Sequence, residues 1–255
     1  MRRVVFNEKG GVGKSSIATN LAAISAAQGI KTLLIDLDPQ CNSTQYLLGH
    51  DAEPELTIAD YFNEQLSFSL VSRRPVEYVQ ATPYDDLAVI ASSPELMAIE
   101  SKLQAKNKIY KLRDLLNKLE KEYHAIYIDT APALNFYTNS ALIAADTCLI
   151  PFDCDAFSRT ALNGIMAVIE EIKHDHNDEL RVEGIVVNQF QPRANLPQQL
   201  IDEMLAEGQP ILPIYLNHSV KMRESHHANK PLIHMAPSHN LTKQYQALFD
   251  HLALV

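Results

Sequence analysis

Phe6-Asn7-Glu8-Lys9-Gly10-Gly11-Val12-Gly13-Lys14-Ser15-Ser16 is the stretch from which the rest of the chain can be read. A short apolar run, Val4-Val5-Phe6, leads into it, and Ile17, Leu21 and Ile24 follow at helical spacing. Strand, glycine-rich loop and helix in that order form the setting of a phosphate-binding loop. Gly10, Gly11 and Gly13, with Val12 among them, let backbone N–H groups turn inward around a phosphate with no Cβ in the way. The N-terminus of the helix behind them adds partial positive charge. Lys14 supplies a mobile cation for the β- and γ-phosphates and Ser15 a hydroxyl for Mg²⁺, and Ser16 completes the run. The standard loop, G-x-x-x-x-G-K-[ST], would place its first glycine at position 8; Glu8 stands there and Lys9 follows.

Outward from this loop, β-branched and leucine-rich runs alternate with longer helical patterns. That alternation predicts an α/β fold: a doubly wound, mostly parallel sheet with helices on both faces. The spacing predicts strands over 2–7, 31–37, 87–91, 124–129, 146–151, 182–188 and 211–215. It predicts helices over 14–28, 57–65, 94–104, 108–122, 135–145, 159–173, 196–207 and 240–253. Residues 66–86 carry the weakest pattern and read as surface loops. With 255 residues, 46% of them hydrophobic, the chain suits one large domain over 1–255. Cys41, Cys148 and Cys154 make no paired spacing for disulfides or zinc, which points to a reducing cytosol. Met1-Arg2-Arg3-Val4 runs directly into a core strand and reads as leaving no room for a signal peptide. No apolar run approaches the length of a membrane span.

Two further strands end in acid. Leu34-Ile35-Asp36-Leu37-Asp38-Pro39-Gln40 places two carboxylates on one side of a buried strand at its C-terminal end. In an open parallel sheet, ligands sit beyond that edge. Ala125-Ile126-Tyr127-Ile128-Asp129-Thr130-Ala131-Pro132 repeats the pattern, and Asp129 is the candidate to hold Mg²⁺ through its water shell. A fourth strand, Gly184-Ile185-Val186-Val187, ends in Asn188, which has both a donor and an acceptor for an adenine edge and equally suits a loop cap.

The loop K-G-G-V-G-K-S resembles the deviant Walker A loop of the ParA/MinD ATPases, with likeness over nearly the whole chain and nearest to small chromosomal Soj-type partition ATPases. The resemblance implies ATP and Mg²⁺ as cofactors and an ATP-dependent homodimer in which Lys9 reaches the partner's nucleotide. It implies that Asp38, in a D-x-D-P-Q motif, positions the attacking water, and that Asp36 belongs to the Mg²⁺ neighbourhood. Thr130 to Pro132 matches the family's switch loop. Asn217 and Ser219, in Tyr215-Leu216-Asn217-His218-Ser219, align with adenine-side contacts. Glu8 replaces the family's usual glutamine, and Cys41 a usual glycine after the D-x-D-P-Q run. Cys41 reads as a small loop residue, not a redox sensor.

The net charge of −9 argues against nucleic acid taken alone, but its distribution is uneven. From Gly208 to Lys243 four basic residues face one acid, with five histidines among them. Arg193 and Lys221 fall near positions that carry DNA-contacting arginines in the family, and Arg223 and Lys230 extend the patch. Contacts of this kind go to phosphate and are independent of sequence. The implied partners are thus a second copy of the chain, non-specific DNA and a ParB-like or other cargo adaptor. The implied location is the cytoplasm, on the nucleoid when ATP is bound. The last helix carries Leu241, Tyr245, Leu248, Phe249 and Leu252 at core spacing. Its polar face lacks the basic residues a membrane-targeting helix needs. A MinD-like membrane-cycling ATPase and a non-hydrolysing ATP-binding adaptor are the alternatives. A reductase resembling the nitrogenase iron protein would need cluster cysteines, which Cys148 and Cys154 do not supply.

Overall fold

A computed structural model describes residues 1–67, 73–154 and 158–253, the side chains of 158–161 excepted. Its strands are β1 (Arg2–Val5), β2 (Thr32–Asp36), β3 (Val79–Ala81), β4 (Leu87–Ile90), β5 (Ala125–Asp129), β6 (Thr147–Asp153) and β7 (Arg181–Asn188). They form one sheet in the order β3-β4-β2-β5-β1-β6-β7. All neighbours are parallel except β3, which pairs antiparallel with β4 at the edge. The helices are α1 (Lys14–Ala27), α2 (Asn42–Leu48), α3 (Ile58–Leu66), α4 (Leu96–Ala105), α5 (Lys111–Leu119), α6 (Phe136–Ala144) and α7 (Ser158–Asp175). They continue with α8 (Asn195–Ala206), α9 (Val220–His227), α10 (Leu232–Met235) and α11 (Asn240–Ala253).

Side chains alternate across each strand, so a sheet covered on both faces must be apolar at every position. Val4, Leu33, Ile35, Ile126, Ile128 and Ile150 face α3 to α7. Val5, Leu34, Tyr127, Leu149 and Val186 face α1, α10 and α11. Ile17, Leu21 and Ile24 of α1 are buried on that second side, as their spacing predicts. So are Leu241, Tyr245, Leu248, Phe249 and Leu252 of α11, which pack with α1 in one cluster. The apolar stripe of α11 is therefore core. No helix among the described residues is long and apolar enough to cross a membrane. At the end of the sheet away from the glycine loop, Arg3 pairs with Glu183 at 2.5 Å, joining β1 to β7 across β6.

Several expectations need correction. Residues 211–215 are not a strand: Ile211 makes an isolated bridge to Ile185 and nothing more regular. Pro210 precedes that apolar run and Pro213 interrupts it, and a proline removes a ladder donor. Within 66–86, part of the expected loop is ordered structure, a 3₁₀ turn at Pro75–Tyr78 followed by β3; 68–72 lie outside the described residues. The helix expected over 108–122 contracts to α5. Helices α2, α9 and α10 had no counterpart in the pattern, being too short or too polar for periodicity to register. Of the eight residues in α9, Ser225 alone is buried.

Candidate nucleotide site

β1 lies inside the sheet with β5 on one side and β6 on the other, and the glycine loop leaves its C-terminal end. Gly11 and Gly13 adopt φ of 78° and 93°, a region that side chains with a Cβ disfavour. A Cβ on Gly13 would stand 2.2 Å from Asn188 Nδ2, so glycine is required there twice over. The loop is clamped from β6 and β7. Asn188 Nδ2 donates to Val12 O at 2.9 Å, and Gln189 Nε2 to Gly11 O at 3.0 Å. Asn7 accepts from Lys9 N at 2.8 Å and donates to Pro151 O at 2.7 Å. Lys14 is 6% exposed and its ammonium donates to Lys9 O at 2.9 Å, arching over the loop. Burial pulls its pKa down, while Asp129 and Asp38 oppose that shift.

Asp36 and Asp129 are register partners on β2 and β5, both fully buried. Asp36 is saturated: Oδ2 accepts from Thr44 N and Thr44 Oγ1, each at 2.8 Å, and Oδ1 from Asp38 N at 3.0 Å. Asp129 Oδ2 accepts from Ser43 Oγ at 2.7 Å, and Thr19 Oγ1 donates to Ser43 at 3.1 Å. Asp129 Oδ1, in contrast, is buried with no hydrogen-bond partner. Desolvation raises the pKa of both carboxyls; the charge of Asp129 adds to the rise at Asp36, while the hydroxyls of Ser15 and Ser43 hold Asp129 lower. Asp38 accepts from Gln40 N at 2.9 Å, and its carbonyl accepts from Ser92 Oγ at 2.7 Å.

A buried carboxylate oxygen without a partner, beside the Ser15 hydroxyl, fits a divalent cation. Among the described residues no group of three or more His, Cys, Asp and Glu side chains could hold a metal unaided. Mg²⁺ needs none, since it binds through one or two carboxylates plus substrate phosphates and water.

Two cavities open along the loop. One, of about 340 Å³, is lined by Gly10, Gly13, Lys14, Ser15, Asp38 and His226, among others. The second, of about 170 Å³, is lined by Asn188, Asn217, Ser219, Arg223 and Tyr245, among others. The three residues read as adenine contacts therefore meet at one cavity, with the Asn188 amide nitrogen already committed to Val12. Arg223 lines that cavity too and, like Arg193 and Lys230, is exposed. Lys221 is ion-paired with Glu224 one turn along α9.

Cys41 precedes α2 with φ of 57°, left-handed where the resemblance expects glycine. Burial, then the charge of Asp36, pushes its thiol up to about 11, so it stays protonated. Ser43, Thr44, Ser92 and His226 were missed from the sequence. Ser43 and Thr44, two hydroxyls just past the D-x-D-P-Q run, offered a signal; Ser92 and His226 offered none.

A family profile described as an AAA domain matches residues 3–182. The chromosome partitioning protein ParA of Myxococcus xanthus is 33% identical over 232 residues, 90% of this chain and 79% of that protein. A Cyanothece McdA variant in complex with ATP superposes with TM-score 0.84 at 20% identity, over 100% of this chain and 96% of that one. Cobyrinic acid a,c-diamide synthase of Mycobacterium smegmatis, with bound ADP and magnesium, also reaches 0.84 at 20% identity, over 99% and 93%. The structural likenesses speak for the fold; the profile and the partition relative, with the lysine-bearing glycine loop and the two acidic strand ends, show that the chain belongs to the ParA/MinD family of P-loop ATPases.

Proposed function

We propose that the chain is a Mg²⁺-dependent ATPase acting as a nucleotide-controlled switch. The observation that carries this reading is the orphaned Asp129 oxygen, buried beside Ser15 and behind a glycine loop spanned by Lys14. Backbone N–H groups from Gly10 to Ser16 and the Lys14 ammonium hold the phosphates. Asp129 and Ser15 are the residues that hold Mg²⁺, with Asp36 beside them in the Mg²⁺ neighbourhood, bonded to Asp38 and to Thr44 of α2. When bound, the cation neutralises charge on the phosphate oxygens. Asp38 orients the attacking water. Asn188, Asn217 and Ser219 border the base. Positioning and charge neutralisation suffice for phosphoryl transfer, so no covalent nucleophile is invoked.

ATP joins two copies face to face, each giving Lys9 to the other's phosphates. The dimer binds DNA without sequence preference through Arg193, Lys221, Arg223 and Lys230, and it binds a ParB-like or other cargo adaptor that stimulates hydrolysis. Hydrolysis releases both. The output is segregation or placement of a chromosome locus, plasmid or protein cargo, in the cytoplasm and on the nucleoid while ATP is bound. The partition relative supports this reading, as do the fold neighbours solved with ATP or with ADP and magnesium. The buried stripe of α11 favours it over membrane cycling.

Sedimentation with ADP, with ATP, and with ATP plus random-sequence DNA tests the reading. Dimers form with ATP alone, and DNA co-sediments only in the third sample. An ATP-loaded protein that stays monomeric defeats the switch.

A further inference from the structure

Gly13, Ser16 and His226 line both cavities, so they mark the waist between the phosphate end and the base end. His226 Nε2 lies 2.9 Å from Ser16 Oγ across that waist. The ring arrives from α9, far along the chain from the glycine loop, and it is held firmly. It packs edge-on against Tyr46, with centroids 4.8 Å apart and planes at 88°. The Tyr46 hydroxyl accepts from Asn20 Nδ2 at 3.2 Å and bonds Ser225 Oγ, the neighbour of His226. Asn20 Oδ1 accepts in turn from Leu232 N at 2.8 Å, tying α10 to α1. Asn20, Tyr46 and Ser225 are all buried. A polar network that is buried and satisfied fixes geometry, and here the geometry it fixes is that of one imidazole.

We propose that His226 is a nucleotide-positioning residue that grips the ribose at the waist, between the glycine loop and the base cavity. The proposal rests on the nucleotide reading above and adds to it a contact that the glycine loop cannot supply. A triphosphate on the loop with its base beside Asn188 and Asn217 must pass its α-phosphate and ribose between Ser16 and His226. The ring nitrogen and the Ser16 hydroxyl, which satisfy each other in this structure, part on binding: the hydroxyl turns to the α-phosphate and the ring to the ribose oxygens. Partial loss of water around the ring lowers the His226 pKa in this structure.

The test is calorimetric titration of ADP, ATP and inorganic tripolyphosphate into the wild type, His226→Ala and His226→Gln. Tripolyphosphate fills the loop but brings no ribose to the waist. His226→Ala weakens ADP and ATP by the same factor, roughly 10-fold, and leaves tripolyphosphate unchanged. His226→Gln, which keeps an N–H donor, recovers part of the loss. Unchanged ADP affinity in His226→Ala overturns the proposal, and so does an equal loss for tripolyphosphate, which would mean the loop itself had been disturbed. A wild type that binds tripolyphosphate but not ADP removes the nucleotide reading along with this inference.

Discussion

Asp36 and Asp129 stand side by side at the ends of adjacent strands, equally buried, yet they are finished differently. Asp36 accepts three hydrogen bonds from Thr44 and Asp38. Asp129 accepts one from Ser43 on one oxygen and leaves the other bare. A buried polar atom without a partner costs roughly 1–3 kcal/mol. A protein able to saturate one carboxylate in this crevice had the means to saturate its neighbour. On the proposed reading, the difference separates a carboxylate that builds the crevice from one left open to a cation. Asp36 holds the start of α2 against β2, and through Thr44 it reaches the backbone of Ser92, since Ser92 N donates to Thr44 Oγ1 at 2.9 Å. Asp129 lies near Ser15 and Lys14 of the glycine loop.

The largest effect tests the structural half of that contrast. Asp36→Ala strands two backbone N–H groups and one hydroxyl in a buried setting, at a cost of about 4 kcal/mol read from urea unfolding. A loss under about 1 kcal/mol would place Asp36 with the ligand-holding group instead. Asp129→Asn tests the other half. The amide can still accept from Ser43, so stability changes little, while Mg²⁺-dependent phosphate release falls roughly 100-fold. Unimpaired release would leave the bare oxygen without a role in hydrolysis.

A smaller effect concerns protons. Burial raises both carboxyl pKa values, so the folded chain holds protons that the unfolded chain gives up above the ordinary carboxylate pKa near 3.9. The stability tied to these groups is fully present below that value and declines as pH rises through the folded values. The slope is at most about 1.4 kcal/mol per pH unit for each extra proton held. Asp36→Asn flattens the decline between pH 4 and neutrality. An unchanged pH profile would show that Asp36 folds as a charged group.

The glycine loop and both acidic strand ends were legible because their signals are local: glycines at fixed offsets, and apolar runs stopping at an acid. The apolar stripe of α11 was legible because period 3.6 over a long helix is hard to imitate. What differs between Asp36 and Asp129 was invisible, since it depends on which of two adjacent hydroxyl residues, Ser43 or Thr44, faces which strand. Those hydroxyls sit on a helix of seven residues with no periodicity to announce it. α9 escaped for a related reason: it is polar nearly all round, held by Ser225 and His226 and not by a stripe. The apolar run at 211–215 misled in the opposite direction, because its prolines deny it the ladder its side chains suggest. Asn188 shows a limit of role reading: its side chain offers a donor and an acceptor, and the structure commits the donor to the loop.

The smallest effect sharpens the contrast at its hinge. Cys41 turns the chain between Asp36 and the Thr44 that Asp36 holds, and it does so in the left-handed region at φ of 57°. A side chain there costs about 1–2 kcal/mol that glycine avoids, less what glycine adds to the entropy of the unfolded chain. Cys41→Gly therefore raises stability by about 1 kcal/mol, read as a higher urea midpoint with an unchanged denaturant slope. Its half-buried thiol donates weakly to the Pro39 carbonyl at 3.5 Å and lies by the Ser92 hydroxyl, weak contacts whose loss costs little in exchange. The Asp36–Thr44 bonds tolerate that strain, and relieving it leaves them in place. If the glycine variant is no more stable, the turn is not strained, and Asp36 holds α2 against nothing that resists it.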